Sequence, residues 1–223
     1  VVRRTRDEAL ETRNTILDTA ERVFSERGVS HTSLADIAAA AGVTRGAIYW
    51  HFKNKADLFD AMMNRVVLPM EQMAARAGDA GIDDPLAYVR ACALNVLERV
   101  VNDPQCRRVF EICSHKCEYV DEMSLVRDRH IEGRDKCLSH IESGLRNAAQ
   151  KGLLAAGVDP RQAAVGLHAL VDGLIMNWIL DPRYLPLKKE AGRMIDLYLD
   201  GLRAHLPRRA AVKRKRYVRQ GRR

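Results

Sequence analysis

Apolar side chains recur at steps of three and four along most of this chain and seldom alternate with polar ones, so the pattern predicts helices and no strands. Ile16, Leu17, Ala20, Val23 and Phe24 fall on one face of a first helix, which Gly28 stops. Ser33 and Asp36 have the spacing of a capping box and open a second helix, with Leu34, Ile37, Ala38 and Ala41 facing inward. Gly42 then turns the chain. Thr44 caps a short third helix, and Asn54 with Asp57 repeats the capping logic for a fourth. Seven prolines, tolerated at helix starts but not in interiors, mark the later boundaries. Together these signals predict nine helices, near residues 7–27, 34–40, 45–51, 55–77, 85–101, 104–117, 121–151, 160–180 and 187–205, with Pro69 kinking the fourth.

The expected fold class is therefore all-α. Three short, closely spaced helices precede longer ones, which predicts a helix-turn-helix head over residues 1–54 on a larger helical ligand-binding and dimerisation body over 55–206. The most apolar stretch, 163–180, is interrupted by His168, Asp172 and Asn177, so it is expected to be buried against protein rather than in a bilayer, and no membrane partner is expected. The charged opening lacks the pattern of a signal peptide, and five cysteines scattered through helical sequence read as reduced thiols. Both readings place the protein in the cytoplasm.

Charge changes the picture only locally. The net charge of +8 is a property of the end of the chain, since residues 203–223 hold ten Lys or Arg and no acid while the 202 before them hold 27 bases and 29 acids. Residues 207–223 are accordingly expected to form a basic, disordered tail. Between Ile37 and Ala56, however, there are three bases (Arg45, Lys53, Lys55) and no acid. Within that window Val43, Ile48 and Phe52 are spaced to pack inward, leaving Arg45, Gly46, Tyr49 and Trp50 to project outward. An arginine there can make bidentate contact with guanine, and a glycine lets the backbone approach the duplex. Tyr49, His51 and Lys55 suit phosphates.

The run Thr32-Ser33-Leu34-Ala35-Asp36-Ile37-Ala38, the run Ala41-Gly42-Val43-Thr44-Arg45-Gly46-Ala47-Ile48-Tyr49-Trp50-His51-Phe52 and the pair Asn54-Lys55 resemble the DNA-binding head of TetR-family repressors. Arg3-Arg4-Thr5, Glu11-Thr12-Arg13, His115-Lys116-Cys117-Glu118 and Val171-Asp172-Gly173-Leu174 narrow the resemblance to the AcrR/TtgR-like multidrug efflux repressors, and it stops near Pro207. The resemblance implies a homodimer on palindromic double-stranded operator DNA near an efflux-pump gene cluster. It puts Arg45, Gly46 and Trp50 on base edges and Thr32, Ser33, Tyr49, His51 and Lys55 on phosphates, with Thr44 and Ala47 in the same set. It pairs the subunits through the last two helices, where Val165, Ala169, Trp178, Ile195 and Leu199 supply apolar faces.

A body of this size exceeds what DNA reading needs, which points to a sensor. The resemblance implies a wide apolar pocket for small hydrophobic or aromatic ligands at Cys92, Ala93, Val96, Phe110, Ser114, Arg134, Ile141, His168, Val171, Asp172, Ile175 and Met176. Arg134 and His168 add polarity to that set. Asp172, read as a buried carboxylate, calls for a partner in Arg134, His115 or a ligand donor. The fourth helix, joining head to body, is the expected lever of induction.

Three other readings compete. A thiol-based redox sensor would use Cys113 and Cys117, which share a helix face; adding His115 for a metal fails because it points roughly opposite, so no metal or other cofactor is expected. An enzyme is disfavoured by the absence of any G-x-G-x-x-G, P-loop, H-E-x-x-H or nucleophile elbow. A helical adaptor remains, opposed by the recognition-helix set.

Overall fold

The computed structural model describes residues 6–120 and 123–203. Among them are nine α-helices and no strand: α1 (Arg6–Arg27), α2 (Leu34–Ala40), α3 (Arg45–His51), α4 (Lys55–Ala75), α5 (Pro85–Asn102), α6 (Pro104–His115), α7 (Ser124–Gln150), α8 (Pro160–Leu180) and α9 (Leu187–Leu202). The basic segment 207–223 lies outside the described residues.

The caps are made as the sequence pattern predicts. Ser33 Oγ accepts from Asp36 N while Asp36 Oδ2 accepts from Ser33 N at 2.9 Å, which satisfies two orphan donors of α2. Thr44 Oγ1 accepts from Ala47 N at 3.1 Å, and Asn54 Oδ1 accepts from Asp57 N at 2.8 Å. Helices α5, α6 and α8 each begin with a proline behind a capping aspartate (Asp84, Asp103, Asp159), where the missing N–H costs nothing. Gly42 sits at φ +66° in the turn between α2 and α3, a conformation that a side chain would strain.

Several helices end earlier than their periodicity suggests, α9 at Leu202 among them. α4 runs unbroken through Pro69 but tightens at its end into a 3₁₀ turn, Arg76–Gly78. α6 stops at His115 because the Lys116 carbonyl turns away to accept from Val29 N at 2.8 Å. That bond joins the body to the turn between α1 and α2.

One continuous apolar core runs from Ile16, Phe24, Ile48 and Phe52 in the head, through Phe59, Met62 and Val66 of α4, to Leu97, Ile112, Leu145 and Ile175 in the body. Helix α7 packs against α8, α5 and α4, and α5 also packs against α9. Gly144 of α7 permits a close approach to α5 and the 3₁₀ turn: a Cβ there would lie 2.7 Å from Val89 Cγ2 and 3.1 Å from Ala77. Helix α8 is long and apolar enough to cross a membrane by composition, yet it packs here against α5, α6, α7 and α9, and Tyr198 of α9 donates to its Ala163 carbonyl at 2.8 Å.

Candidate functional site

In the head, Ile48 and Phe52 are fully buried and Val43 packs against the same core. A seven-residue helix is too short to hold by itself, so this anchorage and the Thr44 cap define α3. Its other face carries Arg45, Gly46 and Tyr49 into solvent, and Trp50 is 73 % exposed with its ring edge-on to His51 at 4.5 Å. An indole so exposed on so firmly held a helix is a surface awaiting a partner. Ala47 is half-buried behind it.

A groove of about 560 Å³ opens beside α3, lined by Ser30, His31, Thr32, Ser33, Leu34, Asp36, Tyr49, Lys53, Asn54 and Lys55. It brings together Thr32, Ser33, Tyr49 and Lys55 from the sequence reading, and adds Ser30, His31, Lys53 and Asn54. Lys53 was visible as one of the three local bases, whereas Ser30 and His31 reach the groove only through the fold of the α1–α2 turn.

Two of the expected phosphate ligands also bond to backbone within the head. Lys55 is buried, and its ammonium donates to the Val29 carbonyl at 3.0 Å. Thr32 is buried too, with its hydroxyl donating to Gly28 O at 2.8 Å. Both brace the turn that shapes the groove. The Asp36 carboxyl is held below its ordinary range by hydrogen bonds from the Ser33 side chain and backbone, so it remains an anion within an otherwise basic neighbourhood.

The expected ligand residues divide in the body. Ala93, Val171 and Ile175 are buried, while Val96, Phe110 and Ile141 pack at the margin of the core and Cys92 is half-buried. Arg134, Asp172 and Met176 lie instead at the surface of the subunit, and Ser114 opens onto a separate groove of about 340 Å³ between head and body. The expectation of a fully buried Asp172 gives way: its side chain is 53 % exposed, and its partner is His168, with Nδ1 3.2 Å from Oδ2. Arg134 pairs with its neighbour Asp135, and His115 lies 3.4 Å from the Met176 carbonyl.

Although both side chains reach the surface, partial desolvation raises the Asp172 pKa, opposed by His168 and then His130, and lowers that of His130. Cys137, pushed up to about 11 by burial first and by Asp172 next, belongs to the same cluster. His130 and Cys137 escaped the sequence reading because one position on a long helix carries no sign of which neighbour it meets.

The thiol reading gains nothing from this geometry. Cys113 is buried against Met63 with its thiol driven far above the ordinary range, and burial pushes Cys117 up to about 11. In both, burial disfavours the thiolate that reacts. Among the described residues no three His, Cys, Asp or Glu side chains converge as metal ligands.

Comparison with known proteins decides the family. The model for bacterial regulatory proteins of the tetR family matches residues 16–62, and that for the C-terminal region of MAATS-type transcriptional repressors matches 84–204. The chain belongs to the TetR family. It is 42 % identical over 203 residues to the HTH-type transcriptional regulator TtgR of Pseudomonas putida, covering 91 % of this chain and 97 % of that one. NalD of Pseudomonas aeruginosa, described as the secondary repressor of the MexAB-OprM multidrug efflux pump, superposes with a TM-score of 0.83 at 36 % identity, covering 90 % of this chain and all of NalD. SmeT of Stenotrophomonas maltophilia, solved in complex with triclosan, gives 0.80 at 34 % identity, covering 86 % and 92 %. TetR-family proteins are transcriptional regulators, so the chain is a DNA-binding regulator and not an enzyme.

The apolar residues of the last two helices divide between core and surface. Trp178, Ile195 and Leu199, expected on the subunit interface, are buried in their own chain. The exposed stripe is Val165, Ala169, Met176 and Leu180 on α8, with Leu197 on α9; Leu180 and Leu197 are 72 % and 69 % exposed.

Proposed function

We propose that the protein is a homodimeric, cytoplasmic repressor that reads a palindromic operator at the genes of a multidrug efflux pump and is released by small hydrophobic or aromatic compounds. The observation that carries the DNA reading is α3: a short helix anchored by Ile48 and Phe52 that presents Arg45, Gly46, Tyr49 and Trp50 to solvent beside a groove holding Lys53. One such helix reads only a few base pairs. Two heads spaced about 34 Å apart, or a multiple of it, supply the specificity. The exposed stripe of Val165, Ala169, Met176, Leu180 and Leu197 supports pairing through α8 and α9.

The efflux-pump assignment follows what NalD represses, and release by a compound follows the SmeT–triclosan complex. Within the body, the buried positions Ala93, Val171 and Ile175 favour apolar ligands, while His168 and Asp172 offer one polar contact at the edge. A compound that favours the DNA-incompetent spacing of the heads over the competent one then shifts the population.

The test is fluorescence anisotropy of the full-length protein on the DNA upstream of its own gene, at fixed salt, with random duplex as competitor and with triclosan or other hydrophobic drugs added. Specific binding that a drug reverses is the expected result. Equal binding to both duplexes would overturn the assignment of α3.

A further inference from the structure

Glu21 lies on α1, outside the lining of the groove that would meet DNA, and its side chain is 2 % exposed. Two other helices converge on it. From α6, Gln105 Nε2 donates to Oε1 at 2.7 Å and Arg108 Nη1 stands 4.0 Å from Oε2. From α4, Arg65 Nη1 lies 3.4 Å from Oε1 and 2.7 Å from Asp18 Oδ1, one turn back on α1. Gln105 and Arg108, three residues apart, share one face of α6, as Asp18 and Glu21 share one face of α1. Around this point the core is apolar, with Ala20, Phe24, Met62 and Val109 all buried.

A carboxylate in such surroundings is an expensive way to join helices. Its pKa stands above the ordinary carboxylate value, because burial, helped by Asp18, outweighs Gln105, Arg65 and Arg108, which draw it down. An apolar residue of similar volume would often serve stability as well or better, whereas a buried ionic group with directional partners selects one arrangement among several similar packings. α6 also carries Phe110 and Ser114 of the expected ligand set, so it faces both the sensing region and the head.

We propose that Glu21 is a positioning residue: its carboxylate, held by Gln105 and Arg108 of α6 and by Arg65 of α4, makes the angle of the DNA-reading head follow α6. The inference rests on drug-responsive repression as its setting. The bond from Val29 N to the Lys116 carbonyl is the second tie across the same junction, and it reports whether the first is closed.

Two measurements on the full-length dimer test this, with E21Q, R108A and the double variant. Hydrogen exchange needs no ligand: the Val29 amide in E21Q and R108A is expected to exchange about tenfold faster or more, while the amides of α2 and α3 keep their protection. Operator affinity with and without triclosan gives the second readout. The fold-weakening caused by the drug is expected to shrink about threefold or more in either variant and no further in the double variant, because the pair acts as one unit. E21Q is expected not to lower the melting temperature, since it relieves the burial of a charge. An unchanged Val29 exchange rate overturns the proposal, as does an unchanged drug response in a protein whose wild type responds. A wild type that ignores triclosan and other hydrophobic drugs counts against drug release instead, and the exchange measurement alone then decides the role of Glu21.

Discussion

The head and the body are built from the same helical grammar but present function in opposite ways. In the head, two seven-residue helices, α2 and α3, are pinned against the longer α1 by caps and a few buried side chains, so the remaining positions of α3 have nowhere to go but outward. In the body, long helices bury several faces at once, and a polar residue such as Asp172 reaches the surface, a pocket or a partner subunit according to how its neighbours pack. A site on a small capped element can be read from spacing. A site between long helices depends on the packing itself.

The largest way to break this contrast is Phe59→Ala. Phe59 is fully buried and its ring lies 6.2 Å from that of Phe24, at the point where the head core passes into α4. Truncation should cost about 3–5 kcal/mol. Urea unfolding followed separately by Trp50 and Trp178 fluorescence checks whether head and body unfold together; one shared transition in wild type and variant would mean that the continuous core makes them a single cooperative unit.

Gly144→Ala probes the body alone. With Val89 2.7 Å from the added carbon and the Ala77 backbone 3.1 Å away, overpacking should destabilise by about 1–3 kcal/mol. The urea midpoint reads that loss, and operator affinity at temperatures well below unfolding should not move.

Arg45→Ala and Lys53→Ala separate two kinds of DNA contact within the head. Arg45→Ala should cost about 1–3 kcal/mol of discrimination against random duplex. Lys53→Ala should weaken both duplexes alike and reduce the slope of log K against log salt by about 1. Lys55→Ala is expected to behave differently from Lys53→Ala, because its ammonium braces Val29 inside the head.

The smallest effect belongs to His130. The ring is open to solvent, and partial desolvation, outweighing the pull of Asp172, depresses its pKa below the usual imidazole value, so the folded protein takes up this proton less readily than the unfolded chain. Its contribution is intact above the ordinary imidazole range and is lost as pH falls through that range toward the lowered value. His130→Asn should therefore flatten a shallow fall in stability below about pH 6.5, checked by melting temperature against pH.

Particular residues mark how much was legible beforehand. The Ser33–Asp36 box, the Thr44 cap and the Asp-Pro starts of α6 and α8 are local codes, written and read within four residues. The apolar stripes of α8 and α9 were legible too, but not which apolar residues belong to the subunit's own core: Trp178 and Leu199 turn inward while Leu180 and Leu197 stay out. Lys55 looked like a phosphate ligand beside Lys53, and only the closing of the α1–α2 turn over it makes it a brace. Glu21 carried no signal at all, since an acid on the face of a helix reads as solvated until its neighbours close over it.

The sequence by itself therefore determined what depends on neighbours along the chain: the nine helices among the described residues, most of their starts, the helix-turn-helix and the outward face of α3. Tertiary structure alone decided what depends on contacts between helices distant in sequence: the partner of Asp172, the inward turn of Lys55, the stop of α6 at His115 and the junction at Glu21. The physical reason is range. Caps, turns and periodicity act over one or two helical turns, whereas burial and ion pairing are settled by whichever distant helix arrives.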